Sequence, residues 1–232
     1  RQPFILAARG TYKLMVVDAW MLKNGKLERA WRWDGDEENP IVRSMGAHSM
    51  VTADVDGDGR DEVMLGSCML DDNGTLLWSS GLGHSDKAYL CKLHPDREGM
   101  QVFMVSEPKK EDGRGVSVVD AATGKLIWSI GHTTYHVGDG MVADFDPSHP
   151  GMECFASEDR KGGSTDKYLL TAAGKKINTT NAEVPGCRNW IWWDADLLRE
   201  TFKGDDNRWG ASSFSGGRKQ SIWKWRGEVL TG

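Results

Sequence analysis

The sequence predicts an all-β fold, a β-propeller built from ~50-residue four-stranded blades, and three observations predict it. A turn-plus-strand phrase recurs at a near-constant period, an acidic turn recurs out of phase with it, and helical periodicity is almost absent. The first phrase reads KNGKLERAW around Gly25, DNGTLLW around Gly74, ATGKLIW around Gly124 and AAGKKI around Gly174, with a weaker copy, WRGEVL, around Gly227. Each copy has a residue that tolerates positive φ at a tight turn, followed by residues suited to entering a strand. The second phrase reads ADVDGDGRDEVMLGS from Ala53, LHPDREGMQVFMVS from Leu93, ADFDPSHPGMECFAS from Ala143 and WDADLLRETF from Trp193. All but the last of these set an alternating apolar strand behind a polar or acidic turn. A β-sandwich would not need so regular a spacing. Residues 1–232 therefore read as a partial propeller of about four to five blades, a piece of a longer protein or part of a ring completed by another chain.

Composition narrows the function. The 232 residues carry 29 Lys+Arg against 34 Asp+Glu, a formal net charge of −5. Without a basic run the chain lacks the phosphate-neutralising patch of a nucleic-acid binder. No apolar run approaches the roughly 18 residues of a membrane span, and the start does not read as a signal peptide. Eleven Trp are an unusually large number, and indole both fills cores and offers a face to sugar rings. The four Cys contain no CxxC pair, which argues against a zinc ribbon or thioredoxin-like site.

The sharpest motif runs from Asp54 through Asp56 and Asp58 to Glu62. Carboxylates on alternate residues of a tight turn converge on one point, which suits Ca²⁺, and the Arg60 carbonyl is the expected backbone ligand. An EF-hand would place Glu where Leu65 stands and would continue as a helix rather than the strand EVMLGS. A related loop offers Asp144, Asp146 and Glu153. The intervening unit has Lys92 and His94 in the corresponding places, which disfavours a cation there. Asp194, Asp196 and Glu200 form a fourth, thinner set. His84 and Asp86 lie in GLGHSD, while His132 and His136 lie in GHTTYHVGDG. In a propeller such connections form the mouth of the central channel. No GxSxG, HExxH or phosphate-cradling loop occurs, so serine-hydrolase, zinc-protease and NTPase readings fall away.

The runs HSMVTADVDGDGRDEVMLGSCMLDDNGTLLWSSGLGHSD, GMVADFDPSHPG and IWWDADLLRE, with RQPFILAARGTYK at the start, resemble family 11 rhamnogalacturonan lyases over nearly the whole chain. The resemblance implies a secreted, periplasmic or surface bacterial enzyme, an eight-bladed propeller when complete, that binds calcium and cleaves rhamnogalacturonan I, the pectic backbone, by β-elimination. It carries over His84, Asp86 and Arg199; since His84 and His136 end equivalent connections, Arg199, His84 and His136 are expected as a catalytic set facing one cleft, with Asp86, His132, Trp192 and Trp193 on the substrate. The segments that supply further catalytic groups lie outside the sequence. The chain departs from the family at Tyr89, Lys92 and His94, and at Asp139, where the family has V-G-R-G. A calcium-stabilised propeller segment that binds glycans without catalysis is the alternative.

Overall fold

The computed structural model describes residues 3–159, 162–177, 189–193, 195–204, 220–223 and 229–231. These form antiparallel sheets in chain order and include no α-helix. The first sheet holds β1 (Ile5–Arg9), β2 (Val16–Lys23) and β3 (Lys26–Asp34). The second holds β4 (Gly46–Ala53), β5 (Glu62–Gly66), β6 (Cys68–Leu70) and β7 (Leu76–Ser79). The third holds β8 (Ser85–Cys91), β9 (Gln101–Ser106), β10 (Val116–Asp120) and β11 (Leu126–Ser129). The fourth holds β12 (Val137–Ala143), β13 (Glu153–Glu158) and β14 (Lys167–Leu170), and the fifth holds β15 (Asn189–Ile191), β16 (Glu200–Gly204), β17 (Gln220–Trp223) and β18 (Val229–Thr231). Every sheet is an up-and-down meander.

The expected four strands are present in the second, third and fifth sheets, whereas the first and fourth show three. In the fourth, the described residues after Gly174 pair back through a Leu170–Lys176 bridge and through bonds from the Thr171 amide to the Lys175 carbonyl and from the Ile177 amide to the Leu169 carbonyl. In the first, the Gly25 turn joins β2 to β3, so β1–β3 match the second to fourth strands of the later sheets. Gly227 lies outside the described residues. Among the described residues no helix is long and apolar enough to cross a membrane.

The second strand of each fully packed sheet is apolar on both faces because a sheet lies on either side of it. Val63 and Leu65 face the first sheet with Val17 and Trp33, while Met64 faces the third with Val102 and Met104. Phe103 and Val105 turn the other way, onto Val142, Cys154 and Ala156 of the fourth sheet. A period of two thus divides each second strand between two successive cores. Cys68, Cys91 and Cys154 are free thiols, and burial pushes the Cys68 and Cys91 pKa values up to about 12. First strands also neighbour one another, β4 against β8 and β8 against β12.

One contact repeats between sheets. Trp31 of β3 seats its ring on Gly74 and donates its indole N–H to the Asp72 carbonyl at 2.9 Å. Trp78 of β7 does the same to Gly124 and the Ala121 carbonyl at 2.8 Å, and Trp128 of β11 to Gly174 and the Ala172 carbonyl at 2.9 Å. A Cβ at Gly124 would stand 2.6 Å from the Trp78 ring, and its φ of +67° is itself one that L side chains rarely adopt. Gly25 has a similar φ of +76° but open space around it. Gly25→Ala should therefore cost only the backbone strain, about 1 to 2 kcal/mol. Gly124→Ala should cost at least about 1 kcal/mol more, because the indole must also move. Equal shifts of the urea midpoint in the two variants would rule out a structural role for this seat.

Candidate functional site

Side chains gather where the first strands begin and the second strands end. His48 comes from β4, His84 precedes β8, Asp86 lies in β8, Glu107 follows β9, His136 precedes β12 and Asp159 follows β13. His84 is buried, and its Nδ1 meets the Gly46 carbonyl at 2.7 Å. That carbonyl can only accept, so the ring proton sits on Nδ1 and the Nε2 lone pair points inward. Nε2 has no hydrogen-bond partner and stands 3.5 Å from Asp86 Oδ1 and 3.5 Å from Glu107 Oε2. His48 Nε2 lies 3.3 Å from the same Asp86 oxygen. Tyr12 tilts over the His84 ring at a 4.4 Å centroid separation. Burial acts to lower the His84 pKa, but the close Asp86 carboxylate, the Gly46 hydrogen bond and the charge of Glu107 raise it on balance. Burial works against ionisation of Asp86, yet the adjacent His84 ring and then the His136 and His48 imidazoles hold its carboxyl below the usual range. Two imidazoles and two carboxylates aimed at one point suit a divalent cation, and His48, His84 and Asp86 bring their ligand atoms within 4.8 Å of one another.

The acidic loops lie at the opposite ends of the strands, where the second strand of the second to fifth sheets starts with a buried carboxyl or carboxamide. Glu62 Oε2 accepts from the Val55 amide at 2.7 Å, and Glu153 Oε2 from the Phe145 and Asp146 amides at 3.0 and 2.9 Å. Glu200 Oε2 accepts from the Trp193 amide at 2.8 Å, and Gln101 Oε1 from Leu93 and His94, both at 3.0 Å. In all three glutamates the second oxygen, Oε1, is buried without a partner. Gln101 differs, because its Nε2 donates to the Gly99 carbonyl at 3.0 Å. Gly99 stands two residues before Gln101, as Arg60 stands before Glu62. The amide proton therefore occupies the place where a cation would join a carboxylate oxygen to a backbone carbonyl. An orphaned carboxylate oxygen in three copies, and a satisfied amide in the fourth, fits a hard oxygen-loving cation in the glutamate loops.

Asp54, Asp56 and Asp58 converge as the sequence predicted, with ligand atoms within 4.8 Å, around Gly57 and Gly59 at φ +83° each. Asp71 also approaches Asp56 and Glu62, a contribution from the β6–β7 turn that sequence spacing concealed. The Arg60 side chain turns away to Asp72 at 2.9 Å. Asp146 is buried beside Glu153 and accepts from the Ser148 amide at 3.0 Å. Burial raises the Asp144 pKa, while Arg199 opposes that rise. Asp194 lies outside the described residues, whereas Asp196 accepts from the Leu198 amide at 2.7 Å.

His84 and His136 do converge. The expected third member of that cleft does not. Arg199 precedes the second strand β16 rather than a first strand, so the antiparallel direction carries it to the acidic-loop end. Its amide donates to the Asp144 carbonyl at 2.8 Å, and its guanidinium lies 3.9 and 3.1 Å from the Trp190 and Trp192 ring centroids. His136 stands at the other end of β12, eight residues from Asp144 along the chain and roughly 26 Å away at ~3.3 Å per residue. Trp192 and Trp193 are exposed on that far side, and exposed His132 rests against the Tyr168 ring with no contact to the cluster among the described residues. His48, Glu107 and Tyr12 were missed, although Glu107 could have been found as the residue just past the apolar run QVFMVS.

Burial pushes the Glu153 carboxyl up to about 7, beyond what the Phe145 and Asp146 amides offset. With its folded pKa raised, this group adds stability below the unfolded value of about 4.5 and loses it as pH rises through about 7. In excess chelator the protein should therefore lose on the order of 2 kcal/mol between pH 5 and 8, and calcium should restore it. Glu153→Gln should copy Gln101: at pH 8 in chelator its Tm should equal or exceed the parent's, and added calcium should raise it less. A variant that keeps the parent's whole calcium response would refute a cation at this loop. Gln101→Glu should do the reverse, with a Tm in chelator below the parent's that calcium recovers.

The model of the C-terminal domain of rhamnogalacturonan lyase family 11 matches residues 1–229. The chain is 40% identical over 210 residues to the Bacillus subtilis rhamnogalacturonan endolyase YesW, covering 90% of this chain and 31% of that protein. It is 37% identical over 206 residues to the rhamnogalacturonan exolyase YesX of the same organism, covering 88% of this chain and 33% of that protein. The crystal structure of the exotype lyase YesX superposes with a TM-score of 0.84 at 35% identity, over 99% of this chain and 37% of that one. The chain thus spans about a third of the length of these relatives. With a family match along almost its entire length, the chain belongs to rhamnogalacturonan lyase family 11, as part of its C-terminal domain.

Proposed function

We propose that the chain is part of a polysaccharide lyase that cleaves the rhamnogalacturonan backbone of pectin by β-elimination at galacturonate, outside the cytoplasm of a bacterium. The sheets are read as blades of a propeller, supported by first strands that adjoin one another and by the repeated indole seat between sheets. Calcium is assigned to the Asp54, Asp144 and Glu200 loops, where it would hold turn to strand without touching substrate.

The observation that carries the catalytic reading is the buried, unpartnered Nε2 of His84, flanked by His48, Asp86 and Glu107 in a chain of this family. A cation bound there would draw charge from the galacturonate carboxylate and so acidify C5–H. His48, His84, Asp86 and Glu107 would hold it, and Gly46 fixes the tautomer that allows His84 to do so. A base takes the C5 proton, the electron pair becomes the C4–C5 double bond, and the C4–O bond breaks with its electrons going to the leaving rhamnosyl oxygen, which is then protonated. Glycan binding without catalysis is a second reading, favoured by exposed Trp190 and Trp192 against Arg199 and by exposed Trp193 next in the chain.

The full-length protein should generate the ultraviolet absorbance of an unsaturated uronate from rhamnogalacturonan. His84→Ala should lower kcat/KM by at least ~100-fold, about 2.7 kcal/mol of transition-state stabilisation. Retention of the polysaccharide on an affinity gel with no absorbance would replace the lyase reading with the binding one.

A further inference from the structure

Asp86 and Glu107 crowd negative charge at the histidine cluster, and their ion pairs among the described residues are all with imidazoles. A uronate arriving there meets like charge and needs a cation from the protein. In the loop after β9 two cations are already taken, Lys109 by Glu111 at 2.7 Å and Arg114 by Asp112 at 2.8 Å. Lys87 is not. It follows Asp86 in β8, is half-buried, and its side chain has neither an ion pair nor a hydrogen bond among the described residues.

The backbone gives this lysine a defined place. β8 is the edge strand of its sheet, and its pairing with β9 shifts between Ser85 and Lys87, while the neighbouring first strand β12 shifts between Val137 and Asp139. Irregularities of this kind re-aim side chains out of the strict alternation of a strand. The Tyr89 hydroxyl donates to the Gly140 carbonyl at 3.0 Å and ties β8 to β12 at this row. A Cβ at Gly140 would stand 3.3 Å from the Lys87 Cβ and 3.1 Å from a Val105 methyl, so the glycine leaves room for the start of the lysine stem. A stem laid on that floor can carry its ammonium to the open edge of β8. Asp139, beside Gly140, stands where the family has the arginine of V-G-R-G, so β8 rather than β12 supplies the positive charge of this row.

We propose that Lys87 binds the galacturonate carboxylate at the histidine cluster and makes the site selective for the ionised acid over its ester. Loss of the C5 proton puts added charge on that carboxylate, so an ammonium beside it holds the transition state more tightly than the bound sugar. The catalytic part of this assignment rests on the lyase reading; the carboxylate seat does not.

The test compares the full-length parent with Lys87→Ala, Lys87→Met and Lys87→Arg on a rhamnogalacturonan oligosaccharide, as the free acid and as its methyl ester. On the acid, Lys87→Ala and Lys87→Met should lose ~30-fold or more in kcat/KM, and Lys87→Arg should recover most of that loss. On the ester the parent should fall toward the two neutral variants, which should themselves differ little between the substrates. Calorimetric affinity for the acid should weaken with salt in the parent and much less in Lys87→Met, at an unchanged circular dichroism spectrum. Lys87→Met keeps the stem and serves if Lys87→Ala does not fold. Equal losses on acid and ester, or no loss on either, would overturn the assignment. A parent that binds the acid through Lys87 without releasing unsaturated product would sink the lyase reading and leave the carboxylate seat standing, whereas a parent that neither binds nor cleaves would end both.

Discussion

Everything at the histidine cluster depends on how far apart successive sheets are held, and an indole seated on a turn glycine sets that distance. Trp31, Trp78 and Trp128 each press on the turn of the following sheet and donate one hydrogen bond to a turn carbonyl. Hydrophobic contact alone would let sheets slide, because apolar burial has no direction. The N–H···O bond adds direction, and the absence of a Cβ lets the ring lie flat on the backbone. His48, His84 and His136 belong to three successive sheets, so the spacing that brings them to common carboxylates is inherited from that seat.

A second constraint works at the other ends of the strands. Loops such as Asp54–Glu62 expose many backbone amides, and a buried side chain at the start of the second strand collects them. Where that side chain is Glu, charge is buried with one oxygen unsatisfied, a costly arrangement unless something positive meets it. Where it is Gln, the group is neutral and complete in itself.

Much of this was legible in the sequence, and the failures have physical causes. The glycines at 25, 74 and 124 could be read because tight turns admit few residues, and Asp54–Asp58 because alternate carboxylates leave little room for another explanation. His84 and His136 occupy equivalent points ahead of first strands, which sequence phase reveals. Arg199 was placed with them although it precedes a second strand, and antiparallel pairing sends it to the opposite edge. His48 and Glu107 escaped notice because they come from separate sheets and share no short motif. The cation-poor loop was found through Lys92 and His94, but the residue that makes it self-sufficient, Gln101, lies farther along in an apparently ordinary strand.

Gln101 opens the strand that leads to Glu107, in the sheet that also carries Asp86. The carboxylates at the centre of the histidine cluster therefore belong to the sheet whose loop is closed by a neutral amide rather than a glutamate. Withdrawing metal would fray the second, fourth and fifth sheets first and leave the third as the last cooperative unit to open. If the loops and the cluster hold cations, their removal would be a graded loosening around an intact template, onto which returning ions could reassemble the centre.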